Sequence, residues 1–454
     1  MATSPFLLGP YAPIYGERSI HQLEVSGTLP EQLSGLFTQI GPNPIRPPRR
    51  RDVQRYSWFS QDGLVCGVRL RHGRAEWFRN RWIRSRTVSR ALGERRPPGP
   101  RHFPNDTVHT NIICSGQMLL ALVETGCVPV RLDTALNTVE YTDLNGALPR
   151  GFSAHPKLDP VSGQLLTVAY SPLRTWAEYL VLNPDGSHTR DRIPLGGRPM
   201  LHDIAITTGH VLIFDLPVRF TFPTALRGKF PYRWDERHTA RIGVLPREGG
   251  APRWFEVLPG FIFHTISAHE QDGHIHVQAI RYERLFADDT EDPFSQAGHL
   301  WEWDIDLAGG RVTERQLDDR AQELPRIDPR RIGQPARYYY AISAEGEQAL
   351  TSHQPDALVK QDLTTGEALI RRHDRYAVPA EAVFVPRGVA EDDGWVLHWL
   401  YDARRDASDL VVLNATDFTG DPVAVVHLPV RVPIGFHSSW FSEAELLAVE
   451  AGLP

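Results

Sequence analysis

Apolar and polar positions alternate in short stretches along the whole chain. Residues 64–70, 118–123, 165–170, 211–214, 275–280, 395–400 and 410–413 each fit a single strand. Turn formers separate them, as in Asn183-Pro184-Asp185-Gly186, Gly309-Gly310 and Asp392-Asp393-Gly394, which is the punctuation of antiparallel hairpins. Helical periodicity is scarce and predicts only short helices, around 286–289 and 443–451. Many strands without βαβ alternation imply a closed all-β architecture, and for 454 residues radial blades leave the fewest exposed edges. A β-propeller is therefore expected. There is no WD- or kelch-type repeat and no break in composition, so residues 1–454 read as one domain.

Composition agrees with this reading. The 36 glycines and 37 prolines exceed average usage and favour many turns over long helices. A net charge of −6 offers no basic footprint for nucleic acid. Cys66, Cys114 and Cys127 cannot build a closed disulfide framework and have no zinc-knuckle spacing. The N-terminal stretch has Pro5, Pro10 and Pro13 and lacks the basic and apolar regions of a secretory signal. No window approaches the ~18 apolar residues that span a bilayer. A soluble cytoplasmic protein is expected. The arginine-rich stretches 47–51 and 95–101 read as solvated loops, or alternatively as phosphate or headgroup contacts.

Four of the 19 histidines have distinctive neighbours: Ala154-His155-Pro156-Lys157, Leu201-His202-Asp203, Phe263-His264-Thr265 and Gly435-Phe436-His437-Ser438. They are separated by 47, 62 and 173 residues. With roughly 65 residues per blade of a seven-bladed propeller, these gaps are near one, one and three blades. Equivalent positions on different blades point at one axis, where four imidazoles can meet. The alternative is four unrelated core histidines. A competing cluster, His269, His274 and His276, includes a pair two apart on one strand face. It lacks the early glutamate of a cupin-like metal set, and Gln271-Asp272-Gly273-His274 reads instead as a hairpin turn with exposed histidines.

Together with Gly41-Pro42-Asn43-Pro44, Trp58-Phe59, Asp62-Gly63 and Phe436-His437-Ser438-Ser439-Trp440, these motifs make the chain resemble the carotenoid cleavage oxygenase family nearly end to end. That family includes carotenoid and apocarotenoid oxygenases, lignostilbene dioxygenases and the vertebrate retinoid isomerase. The resemblance implies a seven-bladed β-propeller with short helices and loops capping an axial metal site. It implies His155, His202, His264 and His437 as ligands of one Fe(II), and Glu124, Glu323 and Glu381 as carboxylates hydrogen-bonded to ligand histidines. The implied reaction is oxidative cleavage of a conjugated C=C bond of a carotenoid or apocarotenoid, with O2 as co-substrate and two carbonyl products. Trp58, Phe59, Trp176, Phe263 and Trp440 are candidate walls of a substrate tunnel, or equally blade-interface packing.

Departures from the family pattern bear on the substrate. Cys66 stands where a histidine is usual, Ser57 replaces a histidine, Gln39-Ile40 replaces arginine-asparagine, and Ser267-Ala268-His269 stands where asparagine and an aromatic residue are frequent. Val123 occupies the place where lignostilbene-type members carry a lysine that meets a phenol, which favours a hydrocarbon polyene over a hydroxystilbene. The alternatives are stilbene cleavage, a non-oxidative isomerase or ester-cleaving member, and a non-catalytic propeller that binds an apolar ligand. Phe220, Phe222, Leu226 and Phe230, flanked by Arg219, Arg227 and Lys229, read as a peripheral membrane patch or as a core-facing lid.

Overall fold

The computed structural model describes residues 4–49, 53, 56–101, 106–148, 151–227, 229–287, 296–346 and 354–453. Arg50, Arg51 and the Asp288-Asp289 end of the expected helix lie outside the described residues. The described strands form seven antiparallel sheets of four or more strands, plus the ribbon Val218–Phe220 with Tyr232–Trp234. The fold is a seven-bladed β-propeller. The chain divides into two compact units.

The first unit comprises Met1–Gly151, Asp356–Leu358 and Ile370–Pro454. One of its sheets runs Arg18–His21, Arg74–Trp82, Gly63–Arg71, Gly35–Pro42 and His437–Ser442 in spatial order, so the two ends of the chain share a blade. A second sheet likewise pairs Glu24–Gly27 with Ala424–His427. Core residues of these sheets include Phe37, Phe78, Trp82 and Trp399, all buried. The helix expected at 443–451 is present as Glu443–Ala451. It begins at a capping box in which the Ser442 hydroxyl accepts from the Glu445 N–H and the Glu445 carboxylate accepts from the Ser442 N–H.

The second unit comprises Phe152–Pro355 and Val359–Leu369. Its sheets open on the strands Lys157–Leu158, Ile204–Ile206, Phe261–Gln271 and Ala321–Ile327. The Phe261–Gln271 and His274–Tyr282 strands meet at a two-residue turn, Asp272-Gly273, with φ +52° and +82°. Both central residues at positive φ make the turn type that matches strand twist, and Asp-Gly is a preferred pair for it. The expected hairpin is thus present, although His269, His274 and His276 are half-buried rather than exposed.

The expected helix at 286–289 does not begin. Phe286 has φ +53°, a left-handed conformation that cannot nucleate a right-handed helix, and its ring is buried against Phe230 and Phe263. Packing of that aromatic ring overrides the weak local helical pattern.

Candidate metal centre

In the second unit, three histidines come from three different sheets. His155 precedes the Lys157–Leu158 strand, His202 precedes Ile204–Ile206, and His264 is the fourth residue of Phe261–Gln271. Their ring centroids lie 4.5 Å (His155–His202), 5.2 Å (His155–His264) and 5.2 Å (His202–His264) apart. The ladder between Phe261–Gln271 and His274–Tyr282 slips between Ile262 and Thr265 and again between Thr265 and Ser267. A bulge of this kind bends the strand and re-aims side chains, here at His264. A second irregularity, between Glu323 and Arg326, places Leu324 at φ +53°. The two bulged segments meet: His264 Nδ1 donates to Glu323 Oε2 at 2.6 Å, and the Leu324 N–H donates to the same oxygen.

Asp203, next to His202, is buried and accepts five hydrogen-bond contacts. Its Oδ1 takes the Ile204 N–H (2.8 Å) and the Lys157 ammonium (2.8 Å); its Oδ2 takes Lys157 (3.0 Å), the Thr265 N–H (2.9 Å) and the Thr265 hydroxyl (2.8 Å). Burial alone would raise this carboxyl. The Lys157 charge and the donors from Lys157 and Thr265 outweigh burial and hold it below the usual carboxylate range. Phe263 presents its ring edge-on to His202, with centroids 4.9 Å apart.

In the first unit, His437 opens the His437–Ser442 strand opposite Ile40. Its Nδ1 donates to Glu381 Oε1 at 3.0 Å, and the Ser438 N–H donates to Glu381 Oε2. Both side chains are buried. The Gly41 and Gly63 positions of the quoted motifs are steric: a Cβ on Gly41 would overlap the Gly435 backbone, and one on Gly63 the Val108 carbonyl. Asn43 ties down Ile14 through its Oδ1, and its carbonyl accepts from the Trp82 indole. Those motifs therefore shape the blade that carries His437.

Phe436, beside His437, packs on Trp58 (4.7 Å), Phe59 (5.8 Å) and His109 (5.6 Å between centroids). Burial pushes His109 down to about 4, against hydrogen bonds to backbone and the Glu124 charge, so the ring is neutral at pH 7. Glu124 lies just after the Met118–Leu122 strand. Two of the five aromatic positions expected to line a tunnel have contacts of their own. Trp176 is stacked on by the Arg174 and Arg192 guanidiniums, and Trp440 packs against the first unit's core. Of the departures, Cys66 is a buried core thiol, Gln39 donates to the Pro433 carbonyl, and Ser267 donates to Gln278.

One ligand-type nitrogen from each of His155, His202, His264 and His437 lies within 4.8 Å of the other three. The four histidines form a possible metal site, and among the described residues no other group of three or more His, Cys, Asp or Glu gathers so tightly. The donor set fits a borderline divalent metal such as iron. Donation from Nδ1 to a carboxylate, at His264 and His437, fixes the tautomer that leaves the Nε2 lone pair for a metal. The His269, His274 and His276 rings stack in a row along their hairpin instead.

A family model described as retinal pigment epithelial membrane protein matches residues 11–442. The "Carotenoid cleavage oxygenase" of Mycobacterium tuberculosis is 35% identical over 96% of this chain and 97% of its own length. This chain belongs to the carotenoid cleavage oxygenase family. Among solved structures, the lignostilbene dioxygenase of Pseudomonas brassicacearum superposes with a TM-score of 0.87 at 27% identity, covering 97% of this chain and 98% of that one. A cobalt-substituted Synechocystis apocarotenoid oxygenase superposes with a TM-score of 0.81 at 28% identity, covering 94% and 96%. Carotenoid cleavage oxygenases with these names span nearly the whole chain, as the motifs imply.

The residues that motif reading left without a task are Asp203, Lys157, Thr265 and His109. Lys157 and Asp203 were visible as the neighbours of His155 and His202, but nothing in their spacing joins them to Thr265.

Proposed function

We propose that this family member is a non-haem Fe(II) dioxygenase that cleaves a conjugated C=C bond of a carotenoid or apocarotenoid. The C=C bond and O2 are consumed and two C=O groups are formed. The observation that carries the proposal is the four-imidazole cluster, two of whose members are clamped by buried carboxylates. Bound by His155, His202, His264 and His437, a ferrous ion supplies the activation of dioxygen. Glu323 and Glu381 orient His264 and His437 and offset the positive charge of the site; Glu124 is assigned the same task for the set. No side chain has to transfer a proton, since cleavage to two carbonyls leaves none to move.

Trp58 and Phe59, packed on Phe436 next to His437, and Phe263, packed on His202, are proposed to face the substrate. Trp176 and Trp440, which also carry guanidinium stacking and core packing, are the other two candidates for that wall. Val123 lies in the apolar core of its blade, where it offers a phenol no charge, which supports a hydrocarbon substrate. The structural likeness to a lignostilbene dioxygenase favours stilbene cleavage as the second reading. Access from a lipid surface is proposed through the short helix Phe222–Leu226. There Leu226 is 88% and Phe222 47% exposed beside exposed Arg227 and Lys229. No described helix is long and apolar enough to cross a membrane.

The test is incubation of the iron-loaded protein with carotenoids, apocarotenals and stilbenes under isotopically labelled O2, with product masses. Labelled aldehydes from a polyene are expected. Unlabelled isomers or hydrolysed esters overturn the oxidative reading, and cleavage of stilbenes alone replaces it with the second.

A further inference from the structure

We propose that Asp203 is a positioning residue that sets three of the four metal-binding imidazoles at once. The inference rests on the metal reading above. Each partner of its carboxylate lies within two residues of a histidine of the cluster: Lys157 two after His155, Ile204 two after His202, and Thr265 directly after His264. These segments belong to three different sheets, so no ladder hydrogen bond relates them. One buried carboxylate does.

The bulge explains why the bond to Thr265 exists. Where the Phe261–Gln271 ladder slips on both sides of Thr265, its N–H points to Asp203 Oδ2 at 2.9 Å, while its hydroxyl reaches the same oxygen at 2.8 Å. The bulge thus aims His264, and Asp203 holds the bulge. Every group facing the carboxylate is a donor: two backbone N–H groups, a hydroxyl and an ammonium. A carboxylate, acceptor at both oxygens, answers all of them. An asparagine cannot, because its NH2 must face either the Ile204 N–H or the Thr265 donors.

Lys157 balances the charge of Asp203, so the ion pair is neutral as a whole, and the effect inferred on a bound metal is geometric. Asp203→Asn would both misplace the ligands and leave the Lys157 ammonium beside a cation. The double change Asp203→Asn with Lys157→Met removes that second effect and leaves the first.

The experiment titrates metal-free protein with Co2+, following visible absorption and the rate of Co2+ loss to a chelator, with circular dichroism and thermal melting as fold controls. Asp203→Asn is expected to weaken Co2+ binding and speed its loss by about 10-fold or more, the lower end for groups that orient ligands. The double variant is expected to stay weakened. Thr265→Val, which keeps shape and removes one donor, is expected to lose about 3-fold by the same reasoning and carries the test should Asp203→Asn not fold. Wild-type affinity and release rate in folded Asp203→Asn, or in Thr265→Val where that is the test, overturn the proposal. Full recovery in the double variant overturns the geometric account. A wild-type protein that takes up no Co2+ overturns the metal reading itself, an outcome separable from the others.

Discussion

The two ends of one strand, Phe261–Gln271, carry a histidine each, and the molecule treats them oppositely. At His264 the ladder is bulged, a glutamate accepts from Nδ1, and the neighbouring N–H is taken by Asp203. At His269 the ladder is regular, with His276 directly opposite and the two rings stacked at 5.2 Å. His274, beyond them, gives its Nδ1 to Asp304. Residue type is the same at both ends. What differs is whether the backbone turns the ring out of the ladder and whether a buried carboxylate then fixes it. The surroundings, not the residue type, separate the two histidines.

His264→Ala should break the contrast most completely. We expect loss of bound metal and of turnover with the fold retained, measured by metal analysis, product formation and circular dichroism. Metal retained at wild-type level would remove His264 from the site.

A third setting sharpens the comparison. His373 and His398 sit with ring centroids 5.6 Å apart, their Nε2 atoms buried without hydrogen-bond partners. Burial pushes His398 down to about 3 and His373 to about 4, from 6.5. Arg371 adds to both shifts, while Asp374 and Asp356 oppose that of His373. With folded values below the unfolded one, the unfolded chain binds more protons between about pH 4 and 6.5. The stabilisation is therefore complete above pH 6.5 and is lost as pH falls. Denaturant unfolding should show a loss of a few kcal/mol between pH 7 and about pH 4.5. His398→Gln should flatten that slope, and an unchanged slope would place the acid sensitivity elsewhere.

Glu323→Gln tests the clamp at the bulged end. Metal affinity should fall by about 10- to 100-fold, read by chelator competition. The smallest effect belongs to the regular end. Gly273→Ala forces a side chain into φ +82° and should cost about 1 kcal/mol in unfolding free energy, with metal content unchanged. A loss of metal there would show that the two ends are coupled.

Much of this was legible in the chain. Alternation and turn residues mark the strands because each side chain's face follows from a two-residue period. The four histidines stand out by their neighbours, whereas Glu124, Glu323 and Glu381 are marked only through the family resemblance. The bulges at His264 and Glu323 were not legible, because a period-two reading assumes an unbroken register. The work of Asp203 was hidden for a related reason: its partners come from segments that only the assembled sheets bring together. Trp176 and Trp440 show why aromatic positions are read less sharply than the histidines: such a ring serves packing and cation stacking as readily as a substrate wall. Phe286 misled because its ring is worth more in the core than its backbone is in a helical turn.

His437 lies on the strand that pairs with Gly35–Pro42, near the opposite end of the polypeptide. During translation His437 is made long after Ile40, and it reaches its place only when its strand closes onto that earlier one. A premature stop anywhere upstream yields a product with three imidazoles at most. On the metal reading proposed above, synthesis past His437 is thereby a checkpoint on loading.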